Sequence, residues 1–221
     1  MEPATARAVE ATAKTTGKAL DIVHDIGAYL NRVVGDLPDN VVGVLGADWL
    51  REKRRRNLDA LSRRTQEIFN ERDVKELIQL SPNLATELFI AAQDESREEL
   101  IELWARILAN AMDPNMNNVR HSFIDAVRKM DPMDAIVLRY IYETNITNIR
   151  FGRTDTQNKT VGVVNIGASI NRRDDEVEVS LRHLKDLMFF DEVVHNPGWY
   201  VNATTREFLR ACYPEMQATA P

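Results

Sequence analysis

Cysteine is almost missing from this chain: Cys212 stands alone in 221 residues. One thiol excludes an internal disulfide and any cysteine-rich zinc site. Long apolar runs are missing too, since no window approaches the roughly 18 uninterrupted apolar residues that a membrane-spanning helix needs. The N-terminus has no basic segment followed by an apolar run and a small-residue cleavage site, so a cytoplasmic protein is expected. Positive charge is the minority, 28 Lys and Arg against 34 Asp and Glu, a net charge of -6 that argues against a surface built wholly for nucleic acid.

The elements of catalysis are equally scarce. The four histidines, His24, His121, His183 and His195, are scattered, with no two at the i, i+4 spacing of a zinc-binding helix. No glycine-rich phosphate loop, Gly-x-Ser-x-Gly elbow, or kinase or dinucleotide fingerprint occurs. Asp73-Val74-Lys75 has the acid-x-lysine spacing of some metal-dependent nucleases, but in a polar helical context without a strand around it. His121 and Ser122 are neighbours that would point about 100° apart on a helix. The expectation is no catalytic residues, cofactor, metal or small-molecule substrate, and hence no enzyme.

What the chain does have is helical periodicity. Hydrophobic residues make up 44% and charged ones 28%, an ordinary globular balance in a chain long enough to bury a sizeable core. Between Ser96 and Pro114, Leu100, Leu103, Trp104, Ile107, Leu108 and Ala111 share one stripe, with Glu98, Glu99, Glu102, Arg106 and Asn110 opposite. Ser96 with Glu99 has capping-box spacing, and Asp113-Pro114 ends the helix. Leu100, Trp104, Ile107, Leu108 and Ala111 are therefore expected to form the structural core motif, with Trp104 at its centre.

Residues 1–16, rich in Ala and Thr, are read as a frayed or disordered arm. From Lys18 on, Ile22, Val23, Ile26, Tyr29, Leu30, Val33 and Val34 recur at helical spacing. Gly35-Asp36-Leu37-Pro38 then breaks the helix, and Gly43 and Gly46 punctuate a second apolar piece. This segment is a candidate for docking on the core or another subunit, or for lying at a bilayer interface. Its acidic surplus over Lys18 and Arg32 has the wrong sign for anionic lipid. A basic run follows, Arg51, Lys53, Arg54, Arg55, Arg56, Arg63 and Arg64, opposed only by Glu52 and Asp59, a local balance of +5. It falls on a long helix from Asp48, a plausible N-cap, to about Arg72. These cations are expected to form a solvated face paired with acids such as Glu98, Glu99 and Glu102, with phosphate or another anionic partner as the alternative. No aromatics interleave with them, so base stacking is not indicated.

Shorter helices are expected at Val74–Leu80, Pro82–Gln93 and Ser122–Met130. At Asp131 the pattern changes. Asp131-Pro132-Met133-Asp134 combines an N-cap, a proline at the first helical position and an acid at the third, and opens a helix to about Glu143. A short β-branched run (Val161–Val164), a helix near Ile166–Ile170, another from Asp174 to Met188, and a hairpin built on Phe189–His195 and Trp199–Val201 follow. Thr204 with Glu207 would cap a last helix through Cys212. Helix, strand, two helices and a two-stranded wing make this a winged-helix-like pattern. The third helix of such a module commonly enters the DNA major groove, but here it opens Asp174-Asp175-Glu176-Val177-Glu178, which would repel phosphate.

Helix Leu84–Gln93, the acidic turn after it, the run Leu-Trp-Ala-x-Ile-Leu-Ala-Asn-Ala-Met-Asp-Pro from Leu103 to Pro114, His121-Ser122-Phe123 and Met130-Asp131-Pro132 resemble the bacterial abortive-infection alpha (Abi-alpha) family. The similarity runs from about Asp48 to Cys212 and lies in packing residues, not in an active-site signature. It implies an association with defence against phage and no particular reaction. The expected organisation is a mainly α protein: an N-terminal arm and amphipathic segment (1–47), a helical core (48–130), a winged-helix-like domain with a small β-hairpin (131–215) and a tail (216–221). The expected function is non-enzymatic antiphage defence through protein binding and self-association, as a homo-oligomer or with a partner protein. A membrane-disrupting effector using residues 17–46 is one alternative. A nucleic-acid-binding regulator using Arg51–Arg64 or the winged helix is the other.

Overall fold

A computed structural model describes residues 47–74, 76–116, 119–150, 160–192 and 198–213. The candidate segment Ile22, Val23, Ile26, Tyr29, Leu30, Val33 and Val34 lies outside these residues, as do the arm before it and the tail after Tyr213. The described chain is mainly helical, with helices α1 (Ala47–Glu71), α2 (Pro82–Ala92), α3 (Glu98–Met112), α4 (His121–Lys129), α5 (Pro132–Thr144), α6 (Val163–Ile170), α7 (Asp174–Asp186) and α8 (Ala203–Cys212). Four short strands accompany them: β1 (Asn148–Arg150), β2 (Thr160–Gly162), β3 (Phe190–Glu192) and β4 (Gly198–Val201).

The described residues divide into two compact units, one of those up to Ser96 together with those in Trp104–His121, the other of Arg97–Leu103 and those from Ser122 onward. In the first unit Leu61, Ile68, Phe69, Leu88, Phe89, Trp104, Ile107 and Leu108 are buried, as the helical stripes require. Leu100 and Leu103, on the same stripe of α3, are fully buried and count with the second unit. Asn110, placed by the periodicity on the polar face, is also buried, because Arg72 at the end of α1 donates to its Oδ1 at 2.5 Å. Helix α1 is fixed to the end of α2 by polar clamps: Asn57 Nδ2 donates to the Gln93 carbonyl at 2.8 Å, and Arg54 grips Asp94 with two bonds of 2.7 and 3.0 Å.

Some local expectations fail for identifiable reasons. Residues 74 and 76–80 are not helical: Leu77 and Leu80 are buried from an irregular segment whose Ile78 amide bonds the Met112 carbonyl at 2.8 Å. Helix α3 starts at Glu98, the amides of Leu100 and Ile101 turning to the Arg97 carbonyl, while the Glu95 side chain takes the Ser96 amide at 2.9 Å. Asp48 lies inside the first turn of α1 instead of capping it. Val163 and Val164 open α6 instead of extending the strand. The cap of α8 is Asn202, whose Oδ1 accepts from the Thr205 amide at 3.0 Å, and not Thr204.

In the second unit the strands form one sheet in the order β2-β1-β4-β3. The β3–β4 hairpin pairs Phe190 with Val201 and Glu192 with Trp199, and β1 adds antiparallel to β4, with Ile149 opposite Trp199. Along β4, Trp199 and Val201 are buried while Tyr200 is 41% exposed, the period-two alternation of a one-faced sheet. Below it Phe208 meets the edges of Phe123 and Phe189 at centroid distances of 5.4 and 5.0 Å, and Cys212 is buried in the same helix as Phe208.

Four helices end without glycine although each closes through a left-handed residue: Asp73, Asn145, Asn171 and Met188, with φ of 51°, 52°, 53° and 66°. After α1, the Val74 amide reaches the Phe69 carbonyl and the Asp73 amide reaches Asn70, the paired bonds of a Schellman ending. The same pattern ends α7, where Phe189 bonds Leu184 and Met188 bonds Lys185. Asp and Asn tolerate this conformation, but an exposed methionine has no side-chain compensation. Met188→Gly is therefore expected to raise stability by about 0.5–1 kcal/mol, measured as a higher urea midpoint; an unchanged or lower midpoint would contradict the strain at this position.

Candidate functional site

A closely knit polar cluster gathers around Asp134. Pro132 and Met133 start α5 and bring the third residue, Asp134, back over the helix entrance, where its Oδ2 accepts the Asp131 amide at 2.8 Å. Helix α7 presents a second pair three residues apart. Ser180 Oγ donates to Asp134 Oδ1 at 2.6 Å, and His183 Nδ1 lies 2.7 Å from Oδ2. Asp134 is only 1% exposed. An unpaired carboxylate that deep would be strongly unfavourable, and three donors offset its desolvation. Because an ionised carboxylate only accepts, His183 carries a proton on Nδ1. The serine hydroxyl is engaged by the carboxylate and not by the imidazole. At the edge of the cluster Arg97 Nη1 meets Asp131 Oδ1 at 3.2 Å.

Asp131, Asp134 and His183 each offer an atom within 4.8 Å of the other two, a spacing that a divalent cation accepts. Bonds to Arg97 and Ser180 and the contact between Asp134 and His183 engage Asp131 Oδ1, both Asp134 oxygens and His183 Nδ1. Above the cluster opens a groove of about 730 Å3 between the start of α5 and the outer side of α7. Met133, Ile136 and Val179 supply its apolar surface, and Glu99, Asp175 and Glu176 line it with acid. A smaller groove of about 210 Å3 lies near Tyr142 and Tyr213, whose rings stack at 4.7 Å.

Helix α7 passes close to α6 at one point. A Cβ on Gly167 would lie 2.4 Å from Asp174 Oδ1 and 2.9 Å from the Arg172 carbonyl oxygen, and the second neighbour is backbone that cannot swing aside. Gly167→Ala is expected to cost about 1–3 kcal/mol, read from the urea midpoint; a neutral result would mean that the α6–α7 corner relaxes freely.

A model of the abortive infection alpha family matches residues 53–212. The chain belongs to this family. Membership carries the role in the family's description, abortive infection, a defence-type function. No curated protein and no solved structure matches the chain. The part matched by the abortive infection alpha model takes in much of each unit, the Asp134 cluster and most of the basic run. No helix among the described residues is long and apolar enough to cross a membrane.

The basic run lies on α1 as expected, and its cations are largely engaged, but by Asp94 and by acids of α1 itself and not by Glu98 or Glu99 of α3. Arg54 pairs with Asp94, Arg55 and Arg56 share Glu52, Arg64 meets Glu67 and Glu71, and the Lys53 ammonium lies 5.7 Å from the Trp49 ring centroid. The Arg56 and Arg55 guanidiniums hold the Glu52 carboxyl below its usual range. Arg51 and Arg63 remain on the exposed side of the helix. On α7 and the hairpin the same economy holds: Arg173 pairs with Glu176, Arg182 with Glu178 and Lys185 with Glu192. Lys185 lowers the pKa of Glu192, so this link is present above the ordinary carboxylate range and is lost as pH falls through that lowered value. The Asp134 cluster was hidden in the sequence. Ser180 and His183 share a helix face, a local sign, but nothing local points them at a residue 46 and 49 positions away.

Proposed function

We propose that this member of the abortive infection alpha family acts by binding protein, including itself, without a chemical step of its own. The second unit would be a winged-helix-like docking module, with α5, β1, α6, α7 and the β3–β4 hairpin as its parts. One observation carries this reading: the helix that would enter a DNA groove has spent its cations. Arg173, Arg182 and Lys185 are bound to Glu176, Glu178 and Glu192, while Val179 stands 69% exposed in the middle of the outer face. Phosphate contacts require cations free to release counterions, whereas an exposed aliphatic residue amid neutralised charge is suited to protein contact.

The test is fluorescence anisotropy with labelled duplex DNA and RNA at low and moderate salt, beside light-scattering mass of the full chain. The expected result is a mass above that of a monomer and no salt-dependent nucleic-acid binding. A steep salt-dependent shift that Arg54, Arg55 and Arg56 charge reversal abolishes would replace this reading with the nucleic-acid one.

A further inference from the structure

We infer that the groove beside Val179 receives the Trp49 end of α1 from a second copy of the chain, an inference that rests on the self-association proposed above. Trp49 is 71% exposed, the most exposed large hydrophobic side chain among the described residues. Around it, over two helical turns, Arg51, Lys53, Arg55 and Arg56 stand at the exposed surface against two acids, exposed Asp48 and Glu52, and Glu52 is taken up by Arg55 and Arg56. This end of α1 is thus an indole framed by positive charge, and aromatic and arginine side chains are the usual anchors of protein interfaces.

The groove has the opposite character. Its volume of about 730 Å3 accommodates an indole with its neighbours, and Met133, Ile136 and the exposed Val179 give it an apolar surface. Five carboxylates line it against two guanidiniums. Arg173 is bound to Glu176, Asp131 to Arg97, and Asp134 to His183, so Glu99 and Asp175 are the lining acids with no ion-pair partner among the described residues. Arg172 is the lining cation in the same position, which leaves acid in excess. A twofold contact of Val179 on Val179 would bring two such acidic grooves together, and like charges facing each other oppose it. The basic, aromatic end of α1 is complementary in charge, and its indole is small enough for the groove. Since the two surfaces differ, each copy offers one knob and one groove, and the contact either closes reciprocally as a twofold dimer or runs head-to-tail into rings or open chains.

Light-scattering mass of the full chain tests this over a range of concentrations. Trp49→Ala removes the knob, and Val179→Arg or Asp175→Arg repels it from the groove; all three positions are exposed, and circular dichroism checks that each variant is folded. Each variant is expected to fall from a multiple of the 25.2 kDa chain to 25.2 kDa. An equal mixture of Trp49→Ala and Val179→Arg retains one intact knob and one intact groove, and should stop at twice that mass. Wild-type-sized assemblies in all three variants would overturn this contact while leaving self-association in place. A mixture that stays monomeric would overturn it as well. A wild-type chain that remains monomeric throughout would remove the self-association reading and this inference with it.

Discussion

Trp104→Ala is expected to lose about 3–5 kcal/mol, the range for truncating a large aromatic side chain in a packed core. Trp104 is 1% exposed, and its neighbours along α3, Ala105, Ile107 and Leu108, are fully buried, so the surroundings have little room to collapse into the space it leaves. For a chain of this size the loss corresponds to a fall in melting temperature of roughly 2–4 °C per kcal/mol. Trp104→Phe should lose distinctly less, because much of the aromatic contact survives. The check is urea unfolding, comparing midpoints at constant slope. A Trp104→Ala loss below about 1 kcal/mol would mean that α3 is a peripheral helix and not the core of its unit.

Asp134→Ala is expected to lose about 2–4 kcal/mol, for a different reason. The substitution creates little cavity but leaves the Asp131 amide, the Ser180 hydroxyl and the His183 Nδ1 without their common acceptor. By contrast Asp131→Ala, at the exposed N-cap of α5 facing Arg97, should cost only about 1 kcal/mol. Ser180→Ala removes one donor from Asp134 and should cost roughly 1 kcal/mol. The decisive measurement is a double-mutant cycle between positions 134 and 180. If the carboxylate holds α5 and α7 together, the double variant should cost clearly less than the two single losses combined; strict additivity would make Asp134 only a helix cap.

The contrast between these two residues indicates what a sequence reveals. Trp104 was legible because a helix repeats its environment every three or four residues, so burial leaves a pattern along the chain. The start of α5 was legible for the same local reason, since Asp131, Pro132 and Asp134 act on one another within a single turn. The hairpin announced itself as two short strand-forming runs close together in the chain, Phe189–His195 and Trp199–Val201. The unseen features depend on distant partners. Leu77 and Leu80 have helical spacing, yet the backbone at Ile78 bonds Met112. Asn110 has a polar side chain yet lies in the interior, where Arg72, 38 positions away, donates to it. β1 is three residues long, too short to show any period, and exists through its pairing with β2 and β4. The candidate groove combines both kinds: Val179 could be placed on the outside of α7, but its facing residues from α5 could not.

Cys212, the chain's one thiol, lies at zero exposure near the end of α8. A buried lone thiol is a clock. A thiol-reactive dye can reach it only when α8 lifts or its unit opens, so the labelling rate in native buffer reports how often that happens. At low reagent concentration the rate follows the opening equilibrium, and at high concentration it levels off at the opening rate itself. The chain thus carries its own probe of local dynamics, at a single known position and without an introduced label.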